Sequence, residues 1–424
     1  MSYPQIIAII LFLITYIFIA TEKIHKTLAA LFGGFLMVML HFVRMNYAFS
    51  HIDFNVIFLL IGMMIIVKIL EETGGFEYIA IRMTKMVHAD PGLTMVVLFL
   101  VTAVFSAFVD NITTVLLITP ISILIAKEMK ISPLPFFITQ IFGSNIGGTA
   151  TLIGDPPNIM IGSSANLTFV DFISNTAPVI LIQLVVFSFI FLIVFGKKMH
   201  VRNEDRARIL DFEEKKMITN PKLLSKSLII FGLIIIGFMI HGILELEASV
   251  IALTGAALLM IVSKIKPEKI FKEIEWNTIF FFIGLFLLVA GIIETGWIDL
   301  VSVALLKLTN HDLKMASKLI LWFSGIFSAF VDNIPYVATM IPLIKNLGAN
   351  VDPVLIKPLW WSLSLGACLG GNGSLIGASA NVIIADFSKK TDHPITFFGF
   401  FKYSIPITLL SLAISYIYLI VRYY

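Results

Sequence analysis

One cysteine, Cys368, stands in 424 residues. It excludes an intramolecular disulfide and offers no cluster for zinc or heme. Charge is scarce as well: 13% of residues are Asp, Glu, Lys or Arg, where a soluble domain carries about 25%. His25, His51, His88 and His200 lie in loops or flanks and carry no metal-ligand spacing. No nucleophile–base set is visible, and no polar stretch is long enough for a sensor domain, so neither an enzyme nor a receptor is expected. The net charge of +3 resides mostly in loops and gives no reason to invoke nucleic acid.

Apolar length is what the chain has in abundance. With 58% hydrophobic residues and a mean hydropathy of +0.97, it reads as an all-α polytopic membrane protein whose main partner is the lipid bilayer. A span needs about 20 apolar residues for roughly 30 Å of hydrocarbon. On that scale spans fall near 4–20, 27–43, 55–70, 135–164, 174–196, 227–243, 248–263, 277–293, 355–386 and 402–421. The first has no basic segment before it and no small-residue cleavage site after it, so it is expected to stay as a helix.

Two further apolar segments, Leu93–Glu128 and Met315–Leu347, are each interrupted at the centre by Asp-Asn. Each half is about 16 residues, which predicts a re-entrant hairpin rather than two full spans. Phe76–Val87 is too charged and too short to span and reads as an interfacial helix. Lys23, Lys26, Arg82, Lys85, Lys127, Lys130, the 197–227 loop and Lys264 to Lys272 all fall on one side when spans are counted alternately. That side is read as cytoplasmic, with both termini outside; Lys314, Lys318 and Lys345 fall opposite.

The two halves repeat. IDFNVIFLLIG (Ile52–Gly62) matches IEWNTIFFFIG (Ile274–Gly284), and FSAFVDNITTV (Phe105–Val115) matches FSAFVDNIPYV (Phe327–Val337). GGTATLIGDPPN (Gly147–Asn158) matches GGNGSLIGASAN (Gly370–Asn381). The expected division is a first repeat over 1–196, a cytoplasmic, solvated linker over 197–226 and a second repeat over 227–424. Each half holds an odd number of crossings, so the second sits upside down relative to the first. Inverted repeats with discontinuous helices mark secondary transporters, with substrate and coupling ions at the midplane repeat interface.

The candidate ion- and substrate-binding residues follow from polar groups placed at bilayer depth. Asp110 with Asn111, Thr113 and Thr114, and Asp332 with Asn333, stand at the hairpin tips. A central carboxylate costs about 2.5–3.5 kcal/mol on insertion scales unless it finds a cation, a proton or donors. Each Asp is also suited to cap the helix after it. Phe137–Ala165 and Ser364–Asp386 are spans with glycine-rich polar breaks, which survive only against protein or a watery cavity. The first break offers Ser144, Asn145, Gly147, Gly148, Thr149, Thr151, Gly154, Asp155 and Asn158, with Asp155 suited to cap the helix that restarts there. The second offers Gly370, Gly371, Asn372, Ser374, Gly377, Ser379 and Asn381. Neither break contains Lys or Arg, which favours a small or weakly charged substrate. No cofactor is expected beyond a coupling Na⁺ or H⁺, with Na⁺ placed near Asp110 and Asp332.

Through SAFVDNITTVLLITP (Ser106–Pro120) and NIGGTATLIGDPPN (Asn145–Asn158) the chain resembles the ion transporter superfamily. Its members include ArsB-type arsenite pumps, NhaD-type sodium/proton antiporters, citrate and dicarboxylate carriers and the melanosomal P-protein. The likeness is greatest to the P-protein and ArsB branch. The resemblance implies a homodimer with scaffold and transport domains and an elevator-type motion. It also brings a partner ATPase into view, which these residues neither require nor exclude. The tips read Asp-Asn-Ile-Thr and Asp-Asn-Ile-Pro rather than the Ser-Asn-Thr signatures of the dicarboxylate carriers. The expectation is therefore a secondary active transporter of a small inorganic ion, arsenite or antimonite among them, coupled to H⁺ or Na⁺ in a bacterial inner (plasma) membrane. The alternatives are Na⁺/H⁺ antiport, citrate or dicarboxylate symport and, in another class, an ion channel.

Overall fold

The computed structural model describes residues 3–21, 23–310, 312–349 and 351–424, and helices are the main elements among them. In the first half the order is α1 (Tyr3–Thr21), α2 (Lys26–Met39), α3 (Met45–Ser50), α4 (Phe54–Glu71), α5 (Gly75–Met86), α6 (Pro91–Ser106), α7 (Asn111–Glu128), α8 (Leu134–Gly148), α9 (Pro156–Ala165), α10 (Phe169–Asn175) and α11 (Ala177–Val194). After α12 (Asn203–Leu210) come α13 (Pro221–Ile240), α14 (Ala248–Ser263), α15 (Pro267–Lys272), α16 (Trp276–Glu294), α17 (Trp297–Leu308), α18 (Leu313–Ser328), α19 (Asn333–Leu347), α20 (Pro353–Gly370), α21 (Ser379–Lys389) and α22 (Phe397–Tyr423).

The helix starts of the two halves keep step because their punctuation does. Asp90 and Asp312 cap α6 and α18 through the N–H groups of Leu93 and Lys314. Gly74 and Gly296, at φ +74° and +76°, turn the chain into α5 and α17. Only glycine takes that left-handed backbone without strain. A residue pattern that places caps and αL glycines alike in both halves places the helices alike too.

Eight described helices are long and apolar enough to cross a membrane, and Lys26–Met39, Pro91–Ser106 and Ala248–Ser263 are shorter apolar helices. By length and composition α7 qualifies as a span, against the expectation of a short hairpin arm. Its pairing with α6 and the position of its first residues, described below, are what make it half of a hairpin. Large apolar side chains such as Leu181, Ile193 and Ile261 stay exposed on the outer faces, where lipid is the solvent.

The halves interleave. α2 packs on α16 and α4 on α14, and α1 and α13 join that group; α6 packs on α8 and α18 on α20. α7 then crosses to α21, and α19 to α9. Each hairpin is thus seated against the broken helix of the other half.

The segment after α11 differs from the open, solvated linker expected there, and α13 already begins at Pro221. Asp205 and Glu214 are buried. Glu214 pairs with Lys85 at 2.8 Å and Arg82 at 3.0 Å; Asp205 pairs with Lys130 at 3.2 Å and Arg202 at 3.0 Å. Charges on α5 and just after α7 therefore fasten this segment onto the base of the first hairpin.

Candidate functional site

Asp110 and Asp332 both cap the helices they precede. Asp110 Oδ1 accepts from the Thr113 N–H at 2.9 Å, and its Oδ2 from the Thr113 hydroxyl at 2.6 Å. The matching residue in the second half is Pro335, which has no N–H to give. Asp332 Oδ1 accepts instead from the Ile334 N–H at 3.1 Å, so its second oxygen needs a donor from elsewhere. The Ser379 hydroxyl donates to it at 3.3 Å, and Lys26, the first residue of α2, supplies the charged donor. Its Nζ stands 2.8 Å from Asp332 Oδ2 and 2.9 Å from Ser379 Oγ, and 5.5 Å from the centre of the Phe281 ring.

Asp155 holds the N-cap position of α9 but caps nothing. Proline at the second of the next two positions removes one N–H that a capping carboxylate would use, and the following one, of Asn158, goes to the Asp155 carbonyl at 2.9 Å. Freed of that task, Asp155 Oδ2 accepts from Asn333 Nδ2 at 3.3 Å, on the tip of the second hairpin. The expectation of Asp155 as a cap is corrected by this geometry.

The breaks in the two spans are stitched together by amides. Asn145 Nδ2 donates to Asn372 Oδ1 and Asn381 Oδ1, both at 2.9 Å, which ties the first broken helix to the second. Asn158 Nδ2 donates to the carbonyls of Thr151 at 2.9 Å and Thr149 at 3.3 Å; Asn381 Nδ2 donates to those of Gly371 at 2.8 Å and Ser374 at 2.9 Å. Each asparagine thereby satisfies carbonyls that its own broken helix leaves unpaired at depth, as a low-dielectric interior requires. Oriented by its neighbours' donors and acceptors, the Asn111 amide nitrogen faces Ser106 Oγ, Ser144 O and Gly154 O at 2.5, 3.0 and 3.2 Å. Ser364 Oγ donates to Asn158 Oδ1 at 2.6 Å.

Six of the residues singled out in the sequence, Asp110, Asn111, Asp155, Asp332, Asn333 and Ser379, line one cavity of about 40 Å³. Space for a single water is about 10–15 Å³ on this measure, so the cavity suits a few waters or a small ion. The three carboxylates share it without meeting at one point: among the described residues no three His, Cys, Asp or Glu stand close enough to hold a metal ion. Glu275, at the start of α16, lies within electrostatic reach of Asp110 and of Lys26.

The remaining candidates take structural parts. Thr114, Ser144, Thr149, Thr151 and Ser374 donate their hydroxyls to backbone carbonyls of Val109, Ile141, Asn145, Ala107 and Ala329. Gly147 and Gly370 let α8 and α20 lie directly on the backbones of α6 and α18. Gly148 and Gly371 face Gly154 and Gly377 across the two breaks, with their carbonyls toward the asparagines. Buried Asn372 keeps one Nδ2 that finds no acceptor among the described residues.

Lys26 was counted in the sequence only as a topology-setting charge. One signal was available: Thr113 has Pro335 as its counterpart, which leaves Asp332 short of a donor that Asp110 has.

Comparison with known proteins finds relatives along nearly the whole chain. The chain is 40% identical to a "46 kDa membrane protein" of Mycobacterium leprae over 99% of both chains. It is 39% identical to an "uncharacterized transporter" of Mycobacterium tuberculosis, again over 99% of both. Mouse P protein is 31% identical over 96% of this chain, which spans 59% of that longer protein. Among solved structures, the Alcanivorax borkumensis YdaH transporter, reported with an unusual topology, superposes with a TM-score of 0.63 at 12% identity, covering 99% of this chain and 98% of that one; at such identity the likeness is one of fold. A family profile described as citrate transporter (CitMHS) matches residues 16–366. With that profile over most of its length and transporters among its full-length relatives, this chain is a multi-pass membrane protein of the CitMHS citrate transporter family.

Proposed function

We propose that the protein is a secondary active transporter of a small inorganic ion, coupled to Na⁺ or H⁺, with the cavity between the two hairpin tips as its ion site. The observation that carries this is convergence: both tips and both broken-helix restarts line one cavity of about 40 Å³. Three carboxylates against one ammonium at bilayer depth call for positive charge. A cavity of a few waters' volume has no room for a citrate-sized carboxylate, so the family's description is not carried over to this chain's substrate. Asp110 and Asp332 act as coupling carboxylates, and the asparagine-stitched breaks keep their surroundings in register.

The helices that interleave through α2, α4, α14 and α16 serve as scaffold, and the hairpins and broken helices move against them in an elevator-type exchange. The second half is inverted relative to the first. Na⁺/H⁺ exchange is the second reading, favoured by the acidic lining. The test is uptake into proteoliposomes under imposed Na⁺ or H⁺ gradients, with arsenite, ²²Na⁺ and citrate as cargoes. Saturable, gradient-driven uphill flux is expected, and Asp110→Asn should abolish it while the variant still folds. Normal coupled flux in that variant overturns the role; flux that never runs uphill points to a channel.

A further inference from the structure

We propose that Lys26 is a one-state latch: its ammonium occupies a cation position at Asp332 and holds the second hairpin against α2 until a monovalent cation of the Na⁺ type displaces it. The inference rests on the alternating-access reading above. Three observations carry it. First, the ammonium is received as a bound cation would be, by a carboxylate oxygen at 2.8 Å, a hydroxyl at 2.9 Å and the face of Phe281. Such a set of a carboxylate, a neutral oxygen and a ring face suits a monovalent cation. Second, the grip joins the two moving parts. Lys26 belongs to α2, which packs on α1 and α16, whereas Asp332 is the tip of the hairpin α18–α19. The Tyr16 hydroxyl of α1 reaches Thr339 and the Pro335 carbonyl of the same hairpin beside it.

Third, the repeat makes the grip one-sided. Helices α2 and α14 are counterparts, and the residue that matches Lys26 at the start of α14 is Ala248. In an inverted-repeat transporter the opposite state is approximated by letting each half adopt the other's conformation. Asp110 would then meet Ala248, and Asp332 would leave Lys26 for the surroundings that Asp110 has now. The residue that Asp332 would face there is Asp53, the counterpart of Glu275. Neither Ala248 nor Asp53 offers an ammonium in that state. A cation carried at Asp332 supplies the charge that Lys26 gives up, so release of the latch and loading of the site are one event.

The test uses the purified full-length protein, with NaCl titrated against choline chloride at constant ionic strength. Lysine acetylation read by mass spectrometry on the wild type should label Lys26 faster in Na⁺ than in choline, while surface Lys266 labels equally in both. Lys26→Gln should lower the Na⁺ concentration for half-maximal thermal stabilisation by about fivefold, the worth of a modest ion pair, and Lys26→Arg should hold it near the wild-type value. Equal labelling of Lys26 in the two salts, or a half-saturation in Lys26→Gln no lower than wild type, overturns the latch. Labelling needs no flux and is read on the unaltered chain, so it holds if the variant fails to fold. If Na⁺ labelling behaves as expected but vesicles show no driven flux, the transport reading falls and the cation displacement stands.

Discussion

Gly147→Ala tests whether the close seating of the first hairpin on its broken helix is what holds the site. A Cβ at position 147 would lie 2.1 Å from the Ala103 carbonyl oxygen and 2.4 Å from Ala103 Cα. Favourable contact between such atoms begins near 3.5 Å, so α6 and α8 must part by about 1 Å or more. The obstacle is backbone on both sides, which cannot swing away as a side-chain end can. Overpacking of this kind costs about 1–3 kcal/mol. The displacement reaches the site directly, since α8 carries Asn145 and α6 leads into Asp110. Gly232→Ala is the control: it sits in α13 with nothing within 4 Å of the added carbon, and helix propensity there favours alanine by up to about 1 kcal/mol. Thermal unfolding of the detergent-solubilised protein, followed by tryptophan fluorescence, should fall in temperature for Gly147→Ala and hold or rise for Gly232→Ala. Gradient-driven uptake should fall in the first alone. A Gly147→Ala protein as stable and as active as wild type refutes the reasoning.

Asn158→Leu should destabilise by about 1–3 kcal/mol, because the carbonyls of Thr151 and Thr149 lose their donor inside the protein; thermal unfolding measures it, and no loss would mean that water replaces the amide. The docked segment after α11 should loosen in acid. Hydrogen bonds from Lys85, its own backbone and Arg82 hold the Glu214 carboxyl down at about 2, below its ordinary value of 4.5. A depressed carboxylate stabilises the folded form above its ordinary value and loses that contribution as pH falls toward the folded one. Limited proteolysis between residues 197 and 226 should therefore rise between pH 4.5 and 2, and Glu214→Gln should be cut at neutral pH; cleavage independent of pH in the wild type counts against docking by Glu214.

Much of the fold was legible because its determinants are local. Asp-Asn at each tip and the glycine-rich polar runs inside two spans act within a few residues, and so they put hairpins and breaks near where the helices run. The candidate site was legible for a related reason, since Asp110 and Asp332 are conspicuous in apolar surroundings. What stayed hidden depends on contacts far apart in sequence. Lys26 and Asp332 are separated by 306 residues, and hydropathy reads a lysine at the end of a span as an anchor. The charged segment after α11 looked like a solvated tether because its ion-pair partners lie on α5 and after α7. Asp155 was recognised, but its task was misjudged, because the effect of the following prolines on a cap appears only once the helix start is built.

The differences between the halves bear on direction. If the two halves of an inverted repeat carried the same chemistry, their two end states would be equal in energy and neither would be favoured. Here the fold matches while the groups at the site do not: Lys26 against Ala248, Thr113 against Pro335, Asp155 against Ala378 and Asn145 against Cys368. Three of these four bear on how Asp332 is held. Pro335 withholds the local donor, Lys26 supplies a distant one, and Asp155 draws Asn333 aside with a hydrogen bond of 3.3 Å. Asp110, by contrast, is satisfied by Thr113 within its own helix turn. On the alternating-access reading, Asp332 is therefore the carboxylate whose partner must change between states, and Asp110 the one whose immediate partners travel with it.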